Sequence, residues 1–401
     1  MLLEKHLLKT NLPLKYIMPS ERIFEIVIIG AGPAGLSTAL HLARIAPELA
    51  ARTLILEKAR HPRPKLCAGG LTVDAEVILE RLDLDVNEVP CVRAESVCLQ
   101  FEGRGLKLHP QKKPALRVIR RDEFDHWLAQ KARQQGVEIR ENSRVKGVRP
   151  MDGKVIVETE AGDLQARVVV GADGSNGIVR GCILPEQPLQ TARLLEVICN
   201  PEANTKHQSS SAYFDFFCVP NGIAGYSWDF PTQLQGKPMR CWGIFDNNLL
   251  ADGPRPPLKS QLAEEMTRCG YSLKDSDLQG HPIRWFNPFA KFSVPGVLLA
   301  GDAAGSDPLF GEGISLALGY GKVTARSIKA AFENDDFTFQ DHCKRILRSS
   351  LGQTLVFRTI FANVLYTFHW RWFQRLVWQF LKPLVLAAGW LLVINWGKRL
   401  K

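Results

Sequence analysis

Among the nine cysteines of this 401-residue chain no two are spaced as CxxC, and none falls with histidine at metal-ligand spacing. A disulfide framework and a structural metal are therefore not expected, and the thiols should be free in a reducing compartment. Internal repeats and low-complexity segments are also missing. The first 22 residues contain no long apolar run, because Glu4, Lys5, Lys9 and Lys15 are scattered among leucines. That composition does not make a secretory signal, and residues 1–23 read as a partly helical arm.

Acid is missing from one region. From His342 to Lys401 there is no Asp or Glu, while ten Lys and Arg side chains, from Lys344 to Lys401, are present. The preceding 341 residues balance 41 basic against 41 acidic side chains, so the net charge of +10 belongs to the tail. The same tail holds five of the nine tryptophans: Trp370, Trp372, Trp378, Trp390 and Trp396. Cations interleaved with aromatics can serve nucleic acid, but here they flank the apolar run LVLAAGWLLVI at 384–394, which a nucleic-acid surface does not want. Tryptophan and arginine at apolar edges suit a lipid interface. Residues 346–401 therefore read as a tail lying on a membrane surface, with a buried docking helix as the alternative and a cytoplasmic, peripherally membrane-associated protein as the expectation. A span needs about 20 apolar residues, and Gln379 and Lys382 interrupt the only candidate.

What is present begins with FEIVIIGAGPAGLSTALHLAR at 24–44: a continuous apolar run, a glycine turn, then apolar residues at helical spacing. TLILEK at 53–58 is a second short strand ending in an acid. A strand, turn, helix, strand unit of a parallel sheet follows. Gly30 permits the tight turn, Gly32 lets a pyrophosphate approach the backbone, and Gly35 lets the helix pack on the strand. The amides at the helix start would receive the phosphates. Glu57, 22 residues beyond Gly35, is placed to accept from the ribose hydroxyls of an adenosine.

Two later stretches separate FAD from NAD. ARVVVGADGSNGIVR at 166–180 is a buried strand ending in a glycine turn with Asp173. GVLLAGDAAGSDPLFGEGISLALGYG at 296–321 is another strand running into Gly301, Asp302 and a second helix start. With RRDEFDHWL at 120–128, these motifs resemble the flavoproteins of para-hydroxybenzoate hydroxylase type. The resemblance implies that Asp302 binds the ribityl chain of FAD and that Arg121 lies against the cofactor. It also implies that the helix near Gly311, Gly313 and Ile314 aims its positive end at the flavin pyrimidine edge. Between the motifs, ESVCLQF, SAYFDFFCV, AGYSWDFP and MRCWGIF change to period two and read as strands of a mainly antiparallel sheet. At 401 residues, beyond the roughly 250–300 at which single cores stop growing, the chain is expected to be α/β in two domains. A Rossmann-type FAD-binding domain would comprise 24–72, 109–182 and 285–345. An inserted antiparallel substrate domain would comprise 73–108 and 183–284, and 346–401 would form a helical tail. Because the motifs end before Lys344, the tail is expected to be dispensable for FAD.

A finer resemblance rests on RPKLCAGGL at 63–71 and YSWDFP at 226–231. Geranylgeranyl reductases carry a K-x-C-x-G-G stretch and a Y-x-W-x-F-P strand, matched here by Lys65, Cys67, Gly69, Gly70 and by Tyr226, Trp228, Phe230, Pro231; Ala68 departs from the usual glycine. The resemblance, covering about Phe24 to Lys344, implies reduction of carbon–carbon double bonds in a polyprenyl lipid. Cys67 would face the reacting carbon, and Tyr226 and Trp228 would line the cavity. Electrons would come from NAD(P)H or from an electron-donor protein such as a ferredoxin. The alternatives are a flavin monooxygenase or halogenase of the same fold, although halogenases carry W-x-W-x-I-P where this chain has Asp229 within YSWDFP, and a non-catalytic prenyl-lipid carrier.

Overall fold

The computed structural model describes residues 23–111, 113–188, 190–203, 205–250, 256–273 and 278–400. The expected N-terminal arm lies outside them apart from Ile23. The run following Ile23 does not alternate because both of its faces are covered. Ile26, Val27 and Ile28 are fully buried, as in a parallel strand with helices on either side. The strand Ile23–Ile29 pairs in parallel with Thr53–Leu56 and with Gly162–Gly171. Val297–Leu299 and Glu138–Arg140 extend this parallel sheet at its two sides. The three motif strands, far apart in sequence, thus lie side by side. Being parallel, they deliver Gly30, Asp173 and Gly301 to one edge of the sheet, with Glu57 beside them. The helices Pro33–Ile45 and Ile314–Asn334 both start at that edge and lock together, Ser37 Oγ donating to Leu318 O at 2.7 Å.

The period-two stretches form a second sheet of seven strands. Its order is Gln279–Arg284, Thr191–Cys199, Lys237–Asp246, Gly225–Leu234, Ser211–Asp215, Ser96–Phe101 and Arg104–Leu108. All pairs are antiparallel except Ser96–Phe101 with Ser211–Asp215. Alternation sorts its two faces. Val197, Trp242 and Ile244 pack with the helix Leu258–Arg268, while Tyr226, Trp228, Phe230 and Phe245 face inward with Val118, Leu309 and Tyr366. Of the 73–108 segment, Ser96–Leu108 joins this sheet; Ala75, Ile78 and Leu79 of the helix Val73–Glu80 pack in the core of the parallel sheet instead.

The tail is two-faced. The helix Ser350–Thr367 buries Leu351, Leu355, Arg358, Ala362 and Tyr366, spacings of three and four that mark one helical stripe. Trp378 stacks on Phe216 at 4.1 Å, and Trp396 is buried against Gly319 of the helix Ile314–Asn334. Gly397 N donates to Asp74 Oδ1 at 2.8 Å. The other face is apolar and open: Trp372, Phe380, Leu384, Trp390 and Leu391 are 61–73% exposed. Among the described residues no single helix is long and apolar enough to cross a membrane. The pair Arg371–Phe380 and Lys382–Arg399, bent by 77°, is so by length and composition together.

Candidate functional site

The glycine turn has the shape that a bound pyrophosphate needs. Gly30 has φ +105°, and a Cβ there would lie 2.4 Å from Ala172 O; only glycine fits. Gly35 is equally closed, its hypothetical Cβ lying 2.1 Å from Gly30 O, so helix and strand touch backbone to backbone. At Gly32, in contrast, a Cβ would meet only Arg63 Nη2 at 3.8 Å. Gly32 is thus the glycine that leaves room for a phosphate to approach the backbone. Glu57 is buried. Its Oε2 accepts from Ala31 N at 2.9 Å and its Oε1 from Ala59 N at 3.1 Å. Oε1 keeps a lone pair for a further donor such as a ribose hydroxyl. Arg63 Nη2 lies 3.4 Å from Glu57, and its Nε is buried without a partner.

Arg121 forks onto Asp125, Nε to Oδ1 and Nη2 to Oδ2, both at 2.8 Å. Burial alone would lower its pKa; Asp125, with Cys67 and Asp302 beyond it, holds it above the ordinary arginine range. Asp125 was not among the expected site residues. Its position, one turn after Arg121 in a helix, was the available signal. Asp173 Oδ2 accepts from Val179 N at 3.0 Å, capping the turn that follows its strand, while its Oδ1 is buried and unpartnered. Asp302 Oδ2 accepts from Ser175 Oγ at 3.4 Å, and a Cβ on Gly313 would lie 3.7 Å from Asp302 Oδ1. Gly301, Asp302, Gly313 and Ile314 are thus one cluster at the start of a 21-residue helix, whose amide end favours negative charge. These residues fit FAD: an open glycine, a buried acid at the end of the next strand, unpartnered Arg63 Nε and Asp173 Oδ1, and a helix start at the strand edge.

The turn 307–313, which carries Gly311, is held from three sides. Tyr226 donates its hydroxyl to Phe310 O, Asn247 Nδ2 donates to Pro308 O at 3.1 Å, and Tyr366 of the tail donates to Leu309 O at 2.5 Å. The strongest tie is also from the tail. Arg358 Nη1 bonds Asp307 Oδ2 at 2.7 Å and Glu312 Oε2 at 2.5 Å, and Nη2 bonds Val393 O at 2.9 Å. Arg358 and Asp307 are buried and Glu312 is largely covered. Burial pushes the Asp307 carboxyl up, whereas Arg358 with Ser315 and Thr72 outweighs burial at Glu312 and holds it below its ordinary value. The tail, expected as an appendage, is therefore fastened to the turn beside Gly311 and Gly313. Sequence reasoning missed this because the partners lie 46 and 51 residues apart.

The loop after the second strand brings Cys67 under the inner face of the antiparallel sheet. Gly69, with φ +79° and a hypothetical Cβ 2.0 Å from Ile119 O, lets the loop turn there. Cys67 Sγ accepts from Gly69 N at 3.4 Å. Burial pushes the thiol's pKa up, while Arg121 pulls the other way, so it is protonated at neutral pH. Lys65 Nζ pairs with His281 Nε2 at 2.7 Å, and burial lowers both their pKa values, His281 to about 4. Tyr226 and Trp228 sit on the facing sheet with Phe214, Phe230 and Phe245 around them. Asp229, next to Trp228 in sequence, points to the opposite face. There it bonds Arg240 Nε at 2.7 Å and His207 Nδ1 at 2.8 Å. Among the described residues no group of His, Cys, Asp or Glu could hold a metal ion.

Comparison with known proteins agrees with this geometry. A family model described as FAD binding domain matches residues 24–233. A digeranylgeranylglycerophospholipid reductase of Methanosarcina acetivorans is 28% identical over 372 residues, covering 85% of this chain and 86% of that protein. A geranylgeranyl bacteriochlorophyll reductase-like protein from Thermoplasma acidophilum superimposes with a TM-score of 0.72 at 22% identity, covering 94% of this chain and 98% of the other. The halogenase PltM superimposes with a TM-score of 0.67 at 17% identity, over 91% and 83% of the two chains. At those identities the two structures speak for the fold alone.

Proposed function

The chain belongs to the FAD binding domain family and is an FAD-dependent oxidoreductase, and from that premise we propose that it reduces carbon–carbon double bonds of a polyprenyl lipid. The observation that carries this reading is the loop of the half-buried, protonated Cys67, whose neighbour Ala68 packs against the aromatic cluster of Tyr226, Trp228 and Phe230 and whose Gly70 lies beside the Phe230 ring. Such a cluster offers an apolar chain a large contact area and presents π surfaces to positive charge developing at a tertiary carbon. Bound FAD, once reduced, would supply the hydride. The chain's own residues bind the nucleotide at Gly30, Gly32 and Glu57, hold the pyrimidine-side turn through Arg358 and Tyr366, and keep a proton at Cys67 Sγ. Electrons would reach the flavin from a nicotinamide nucleotide or a ferredoxin-like protein.

The open face of the tail supports a second part of the reading. Trp372, Phe380, Leu384, Trp390 and Leu391 would enter the surface of a bilayer while Arg358, Trp378 and Trp396 keep the helices docked. A lipid substrate is then met where it resides. The test is anaerobic incubation of photoreduced protein with a panel of polyprenyl lipids, followed by mass spectrometry. Gain of hydrogen in pairs is expected. Oxygen or halogen incorporation under air, without hydrogenation, would favour the monooxygenase or halogenase reading instead.

A further inference from the structure

Reduction of an alkene needs a proton as well as a hydride, and the strand Thr191–Cys199 carries an acid where its pattern calls for a hydrocarbon. On its inner face Ala192, Leu194 and Ile198 alternate as expected; the fourth residue on that face is Glu196. In register, Glu196 pairs with Gly243, and Gly243 pairs with Trp228, so the three occupy one row of the sheet. The missing side chain at Gly243 is filled by the Trp228 ring, 2.0 Å from where a Cβ would stand. Glu196 is 3% exposed, and its Oε2 is buried with no hydrogen-bond partner. Its neighbours are the Cys241 thiol on the adjacent strand and the backbone amide of Cys67 on the facing loop. No arginine or lysine forms an ion pair with it among the described residues.

An unpaired, buried carboxyl is costly as an anion and is retained more easily as a neutral acid. Burial pushes Glu196 up to about 7 against the pull of Arg120 and, more weakly, Lys65. The thiol beside it has the opposite difficulty. Cys67 is protonated, but burial makes its thiolate unfavourable, so the S–H is a poor acid unless the sulfur is reprotonated as it gives up its proton. We propose that Glu196 is the proton reservoir for Cys67, an acid held neutral behind the thiol for delivery to the substrate. The inference rests on the alkene-reduction reading. In the step, hydride from reduced FAD forms one C–H bond, the Cys67 proton forms the other, and the Glu196 proton replaces it on sulfur. The flavin is oxidised, the alkene is reduced, and Glu196 is left as a carboxylate to be reprotonated from solvent. The groups facing it from every packed element are Arg120, Lys65 and Cys67 from the loops, Cys241 from the adjacent strand, and His281 through its bond to Lys65.

The test compares E196Q and E196D with the parent. In single-turnover oxidation of the reduced, FAD-loaded protein by a polyprenyl lipid, the parental rate should fall as pH rises through about 7. E196Q should be slower by about 10²-fold and flat in pH, with its FAD spectrum and affinity unchanged. E196D, which keeps an acid, should recover part of the rate and the pH dependence. Cys67→Ser combined with E196Q should be no slower than the worse single variant, because the two residues act as one unit. Independently of turnover, the parent at pH 6 should show an infrared carbonyl band of a protonated carboxylic acid that E196Q lacks. A parental rate and pH profile in E196Q, or a band unchanged by the substitution, overturns the proposal. If no lipid oxidises the parent while the band is present, the substrate reading has failed and the neutral acid stands.

Discussion

Replacing Arg358 by methionine removes the only cation among the described residues that bonds both Asp307 and Glu312. Arg358 is 2% exposed, with Asp307 buried and Glu312 largely covered beside it, and methionine fills much of its volume without its charge. Removing one partner of a buried ion pair costs about 3–5 kcal/mol, because the other charge is left uncompensated. Here two carboxylates are left. Against a typical total of about 5–15 kcal/mol that is a large share. The loss should depend on pH with a definite sign. Without the guanidinium, burial raises the Glu312 carboxyl above its unfolded value and leaves Asp307 raised further. A group raised on folding favours the native state where it is protonated, so stability is lost as pH rises from the unfolded carboxylate range through the folded value. Arg358→Met should therefore be closer to the parent at pH 5 than at pH 8. Urea unfolding followed by tryptophan fluorescence at both pH values measures this, with FAD affinity read from flavin fluorescence. Glu312→Gln in the same chain should restore part of the loss, since the two positions are coupled. Arg358→Lys, which keeps charge without the fork, should fall between. A loss below about 1 kcal/mol with no pH dependence would mean that the tail does not hold this turn.

Gly32→Val should leave the fold intact, because a Cβ at this position meets only Arg63 Nη2 at 3.8 Å; circular dichroism should be unchanged while FAD binding is abolished. A chain ended after Arg348 should lose soluble expression or FAD, since it removes Arg358, Tyr366 and Trp396 from the core; a stable, yellow truncated protein would contradict the docking described above. Changing Trp372, Phe380 and Trp390 together to serine should reduce sedimentation with anionic vesicles by at least about tenfold, each ring contributing about 1.5–3 kcal/mol when it leaves water, without altering FAD content. High salt should weaken vesicle binding of the parent only in part, because screening acts on the charges and not on the rings.

The nucleotide cradle was legible because its chemistry is local. A tight turn, an open glycine and an acid at the end of the next strand lie within Gly30–Glu57, and the parallel strands that assemble the rest read as unbroken apolar runs. The docking of the tail was only the alternative reading because its composition, ten cations with five tryptophans, outweighed its periodicity. Leu351, Leu355, Arg358, Ala362 and Tyr366 form a helical stripe, and an arginine inside such a stripe implies a buried acid elsewhere. Glu196 was legible in the same way, as the one acid in a strand face of Ala192, Leu194 and Ile198, but its partners lie on two other elements that no local pattern connects. Asp229 shows the converse. It sits inside the aromatic motif, yet alternation turns it to the far face, where Arg240 and His207 satisfy it.

In the proposed reaction, reduced FAD in this protein is oxidised by a polyprenyl alkene. Stopped-flow mixing of the photoreduced protein with a digeranylgeranyl lipid in detergent, under strict anaerobiosis, follows the return of the oxidised flavin band directly. The band should return without oxygen, in proportion to the double bonds lost, and more slowly in Cys67→Ser. A band that stays bleached with every polyprenyl lipid and returns only when oxygen is admitted would contradict the proposed reaction.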